Sequence, residues 1–122
     1  MSDNLVHRNN SIDYLELTAA DAAQLAVTQQ FYSSAFGWKY KEWAPEYADT
    51  QDSGITSGLS AHEGDRLKTP LPVIYVNELE DARTKIVASG GKIQKDIYAF
   101  PGGRRFHFVD PAGNQLAVWS EK

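Results

Sequence analysis

Within 122 residues the same order of elements is written twice. The first copy opens on "SIDYLELT", which alternates as a strand does, followed by "AADAAQLAVTQQFYSSAFGW", "WKYKEW" and a stretch ending "ITSGLSAH". The second opens on "LPVIYV", passes through an apolar-periodic segment closed by "SGG", and continues with "KIQKDIYAF" and "FHFVDPAGNQLAVWS". Each copy reads as strand, helix, three strands. One copy alone leaves a sheet face without cover, whereas two packed together bury both. The expected class is therefore α+β, with two βαβββ modules in one compact domain. A polar, flexible tail is expected over residues 1–10, the first module over 11–64, and a linker with the second module over 65–122. An all-helical chain or a purely parallel sheet would contradict this reading.

Local signals set the helix limits. Asp21 followed by Gln24 is a capping-box pattern, and Ala23, Val27, Phe31 and Ala35 recur at helical spacing, so a helix is predicted from Asp21 to Phe36, with Gly37 at its exit. Asn77 with Glu80 is a second cap pattern. Leu79, Ala82 and Ile86 follow it, which predicts a helix over Leu79 to Ser89. "EGDRLKTPLP" between the copies is polar and contains proline, as a linker does. In the last hairpin Asp110, Pro111, Gly113 and Asn114 make a turn, and the turn fixes the register of the strands beside it.

Composition narrows the chemistry. There is no cysteine, which removes disulfides, thiolate nucleophiles and thiolate metal sites. The net charge of −4 argues against a nucleic-acid partner. No apolar run approaches the roughly 20 residues of a membrane helix, and no signal peptide is written at the start. A cytoplasmic protein is expected.

The order of elements, with "FYSSAFGW" after the first helix and "FVDPAGNQLAVW" at the end, resembles the vicinal oxygen chelate superfamily, which includes glyoxalase I, extradiol dioxygenases and bleomycin-resistance proteins. The resemblance covers about Ile12 to Trp119. It implies curved sheets forming a cleft, a homodimer, and in metal-using members one ligand on each of four strands. Carried over by position from Asp21 and from Asp110, those ligand places fall on Tyr14, on Gly58 or Leu59, on Leu71 and on Ala117. Aliphatic side chains offer no donor atom, so no metal ligand and no cofactor is expected there, a divalent metal on rearranged ligands being the alternative.

The same register turns Tyr14, Glu16, Leu71, Val73, Tyr75, Arg105, His107, Gln115, Ala117 and Trp119 towards the cleft. That mixture is apolar and aromatic with a few orienting polar groups, as in a small-molecule pocket. His107 is read as a polar contact or an acid–base group, and Glu16 as a structural ion-pair partner of Arg105 or His107 or as a carboxylate that shares in proton transfer. Arg104 and Arg105 follow "PGG" and are read as a loop tip or as an anion-binding lid. His7 and His62 receive no role. Three functions stay open: a metal-free protein that binds a small organic molecule, a lyase, isomerase or dioxygenase acting on a small carbonyl compound, and an interaction module whose cleft is filled by its own side chains.

Overall fold

The computed structural model describes residues 6–62 and 69–122. Residues 63–68 of the expected linker lie outside them. Two compact units are found, one spanning Tyr14–Leu71 and the other combining Val6–Asp13 with Pro72–Lys122.

The first module contains β1 (Ser11–Thr18), α1 (Ala22–Phe36), β2 (Tyr40–Ala44), β3 (Tyr47–Thr50) and β4 (Thr56–Ser60). Its strands lie in the order β2-β3-β4-β1. β1 runs parallel to β4, as the helical crossover requires, and the β2, β3 and β4 pairings are antiparallel. The first three residues of β1 group with the second unit. The second module repeats the plan with β5 (Leu71–Tyr75), α2 (Leu79–Ala88), β6 (Lys92–Phe100), β7 (Gly103–Val109) and β8 (Gln115–Ser120). Its order is β5-β8-β7-β6, with β5 parallel to β8. The expected pair of βαβββ modules is what the chain forms.

The ends of α1 follow from its sequence. The Asp21 carboxylate accepts from the Gln24 amide at 2.8 Å, and the Gln24 side chain reaches back to the Ala20 amide. Gly37 takes the left-handed conformation at φ 75° and donates to the Ser33 carbonyl at 3.0 Å. For α2 the cap differs from expectation: Glu78, not Asn77, is the N-cap, without a side-chain cap bond. Asn77 is used one step earlier. Its amide donates to the Asn9 side chain at 2.8 Å and its carbonyl accepts from the Ser120 hydroxyl. Glu80 and Asp81 then place negative charge in the first turn, which suits the helix dipole.

The apolar stripe expected on α1 is not the buried one. Val27 is 70% exposed and Phe31 58%, while Leu25 is buried and Tyr32 packs beside it against Ala19, Ala48, Leu59 and Ala61. The helix is apolar on more than one side, so its periodicity does not select a face. In the second module the expectation holds. Leu79, Ala82 and Ile86 of α2 pack on Ile74, Phe106, Phe108, Leu116 and Val118.

Candidate functional site

Because Phe106, Phe108, Leu116 and Val118 go to the helix side, their neighbours share the opposite face of the second module. Strand register then sets two rows across β7, β8 and β5. Arg105 stands opposite Trp119 and Trp119 opposite Tyr75; His107 stands opposite Ala117 and Ala117 opposite Val73. Six of the expected site residues are thus brought together. Gln115, opposite Val109, lies half-buried at the end of the same face.

The polar groups of this face are locked to one another. Nε2 of His107 meets the Tyr98 hydroxyl at 2.7 Å and the Arg105 Nε and Nη2 atoms at 3.4 and 3.3 Å. Guanidinium nitrogens only donate, so Nε2 is the unprotonated, accepting nitrogen. Its lone pair is already engaged, and the geometry makes His107 a support for Arg105. Tyr98 stacks on the His107 ring at 5.7 Å, and the Arg105 guanidinium lies 5.9 Å from the Tyr98 ring centre and 6.0 Å from that of Phe100. The two arginines part company. Arg105 is buried, whereas Arg104 turns outward to Glu80 at 2.6 Å and to the Lys122 carbonyl at 2.7 Å, so it tethers the strand to α2 and the terminus instead of forming a lid.

In the first module Glu16, Gly58 and Asp49 form a row across β1, β4 and β3. Tyr14 and Glu16 share the face away from the helix, and the Tyr14 hydroxyl bonds to that of Tyr47. Gly58 makes this possible. A Cβ there would overlap the Tyr14 hydroxyl and stand 2.9 Å from its Cζ and 3.0 Å from the Tyr47 hydroxyl. Leu71 is buried at the start of β5. Asp49 was missed in the sequence because "YADT" is too short to show which residues face inward.

The metal that the resemblance implies can be tested on these donors. Of Tyr14, Gly58, Leu71 and Ala117, one supplies a phenol oxygen, already shared with Tyr47, and the others supply no side-chain donor. Such a set does not fit a divalent ion, which needs about three protein ligands. Among the described residues no group of three or more His, Cys, Asp or Glu is placed to hold a metal.

Burial pushes the Tyr14 phenol well up, with Tyr47, Glu16 and Asp49 adding to it. Burial and Tyr32 push Tyr40 up to about 12, and burial and Glu121 raise Tyr75. The unfolded chain releases these protons near pH 10. A raised folded value means the stabilisation is complete below about pH 10 and is lost as pH climbs through the folded values. Stability is expected to fall above about pH 10, with Tyr14 ionising only as the fold is lost; circular dichroism and tyrosinate absorbance followed together through a base titration check it. Full tyrosinate formation near pH 10 with the fold intact would contradict the burial account.

A further cluster sits at the edge of the second module. Residues 7–10, read from the sequence as polar tail, are tied down: the Asn10 amide donates to the Tyr75 carbonyl at 2.9 Å, and Asn10 adopts φ 60°, which asparagine tolerates. The chain turns back there and sets His7 beside Asp13, Nδ1 to Oδ2 at 2.6 Å. The other Asp13 oxygen accepts from the Trp119 indole at 3.1 Å. His7 stacks on Tyr75 at 4.9 Å and meets Trp119 edge-to-face at 4.7 Å, and the Tyr75 hydroxyl donates to Glu121 at 3.1 Å. Trp119 is therefore covered by its own neighbours.

The fold is similar to several solved structures. A NAD-dependent benzaldehyde dehydrogenase from Legionella pneumophila superposes with a TM-score of 0.73 at 17% identity, over 89% of this chain and 98% of that one. A Mn(II)-bound glyoxalase from Novosphingobium aromaticivorans gives 0.64 at 19%, over 95% of this chain and 40% of its own. A methylmalonyl-CoA epimerase from Mycobacterium tuberculosis gives 0.63 at 13%, over 96% and 93%. At these identities the likeness is one of fold. No curated protein matches in sequence. No helix among the described residues is long and apolar enough to cross a membrane. The family model described as "Glyoxalase/Bleomycin resistance protein/Dioxygenase superfamily" matches residues 11–118, and the chain belongs to that superfamily.

Proposed function

We propose that this chain binds a small organic molecule bearing a carboxylate or strongly polarised carbonyl oxygen, and that it does so without a divalent metal at the family's usual position. The observation that carries this reading is the buried Arg105 guanidinium, set by strand register beside Trp119 and flanked by the Tyr98 and Phe100 rings. A buried guanidinium fork is well matched to a carboxylate and unfavourable to a cation. Val73, Tyr75, Ala117 and Trp119 supply the apolar part of the face and Gln115 its polar end. Tyr98 and Phe100 are the side chains whose displacement admits a ligand, for they lie on β6, which ends the module's strand order and whose pairing slips twice. The acid–base alternative through Glu16 and His107 is weaker, since Nε2 of His107 already accepts from its neighbours.

Thermal-shift and calorimetric screening with planar carboxylates, small carbonyl compounds and planar cations tests the reading. Carboxylates are expected to raise the melting temperature, and Arg105→Ala to weaken their binding by roughly 10–100-fold, the loss of a charge-assisted hydrogen bond of about 1.5–3 kcal/mol. Binding by cations alone, or near-stoichiometric metal in protein purified without chelator, would overturn it. We further propose a homodimer in the cytoplasm. The exposed Val27, Phe31 and Phe36 of α1 are apolar surface for a second copy to cover, and a monomer in light scattering at micromolar concentration would end that part of the proposal.

A further inference from the structure

We propose that His7 and Asp13 form a proton-accepting pair, and that their ligand is a planar, weakly acidic hydroxyl compound such as a phenol. The site stands on its own geometry and does not require Arg105 to bind anything. A carboxylate oxygen 2.6 Å from Nδ1 fixes the neutral ring's one proton on that nitrogen, and in that form Nε2 carries the lone pair. Nε2 has no hydrogen-bond partner among the described residues. The side chain is 13% exposed, so solvent reaches part of a ring that Tyr75 and Trp119 otherwise cover. Asp13 cannot swing away, because the Trp119 indole holds its second oxygen.

A purely structural histidine needs only the Nδ1 bond. What this arrangement adds is a base whose conjugate acid is met by a carboxylate already in position. The step is a single proton transfer. The ligand's O–H bond breaks, an N–H bond forms at Nε2, the ligand keeps the electron pair as an oxyanion, and the imidazolium is paired with Asp13. The aromatic neighbours Tyr75 and Trp119 favour a flat ligand over an aliphatic alcohol. An aliphatic alcohol is also too weak an acid to give up its proton to an imidazole.

The test uses the full chain and 4-nitrophenol, whose anion is coloured. In the free protein, imidazole nitrogen NMR at neutral pH should report the Nδ1–H tautomer for His7. Asp13→Asn should reverse it, since an amide N–H facing Nδ1 leaves the proton on Nε2. Adding protein to 4-nitrophenol should raise the nitrophenolate absorbance saturably and protonate Nε2. His7→Phe keeps a ring against Tyr75 and Trp119, and it should reduce this response by at least about tenfold; Asp13→Asn should reduce it several-fold. Arg105→Ala should leave it in place, which separates a failure here from a failure of the carboxylate site. A neutral His7 protonated on Nε2 in the natural protein, no saturable response, or an undiminished response in a folded His7→Phe variant would each overturn the proposal.

Discussion

Replacing Trp119 with alanine is expected to lower the melting temperature by roughly 12–20 °C. Trp119 is 1% exposed and is the largest fully buried side chain of the described residues. Truncating a buried aromatic to alanine costs about 3–5 kcal/mol through lost transfer energy and an unfilled cavity. For a domain of this size each kcal/mol moves the midpoint by about 4 °C. Two features put the change at the upper end. The ring contacts His7, Tyr75 and Phe100, which belong to three different parts of the module, so no single movement closes the gap. The indole N–H also leaves, and Asp13 loses one of its donors. Trp119→Phe separates the two effects: it keeps most of the volume and should cost about 1–2 kcal/mol, near the value of a hydrogen bond to a charged group. Calorimetry of the three proteins decides the matter, and a loss below about 1 kcal/mol in the alanine variant would mean that the cluster is not packed as described.

What was legible in advance depends on how many alternatives each stretch left open. In β7 and β8 Phe106, Phe108, Leu116 and Val118 recur at every second position, and the DPAGN turn pins the register, so these four on one side and Arg105, His107 and Ala117 on the other followed from alternation. In α1 the same kind of reasoning failed. Leu25 and Tyr32 compete with Val27 and Phe31 for the buried face, both sets sit at helical spacing, and only the positions of Ala48 and Leu59 on neighbouring strands decide between them. His7 and Asp13 were invisible for another reason. Their partners Tyr75 and Trp119 lie far along the chain, and a contact made by folding a polar segment back on a strand leaves no period in the sequence. The pairing of Arg105 with His107 was half legible, since residues two apart on a strand share a face, but Tyr98 closes the group from the next strand.

Gly58→Ala is expected to destabilise the first module by about 1–3 kcal/mol, the usual cost of forcing a methyl into a filled interior, and Tyr14 should determine how much. The added carbon falls on the Tyr14 hydroxyl and close to its Cζ, with the Tyr47 hydroxyl at 3.0 Å on another side. Tyr14 cannot step aside freely, because it is buried and its hydroxyl is bonded to Tyr47. Loss of conformational freedom in the unfolded chain on replacing glycine works the other way, but by less than about 1 kcal/mol. Pairing the change with Tyr14→Leu removes the obstructing hydroxyl and ring, so the two effects should fail to add, with a coupling of about 0.5–3 kcal/mol in favour of the double variant. Full additivity in denaturant unfolding would show that the methyl is accommodated elsewhere. The same geometry bears on chemistry. Residue 58 is one of the two places where the resemblance puts the second metal ligand, and any side chain there competes with Tyr14 for the same volume. With tyrosine at 14 and glycine at 58, this corner of the fold is filled by a phenol pair, and a larger side chain placed at 58 alone should destabilise the module by more than the alanine does.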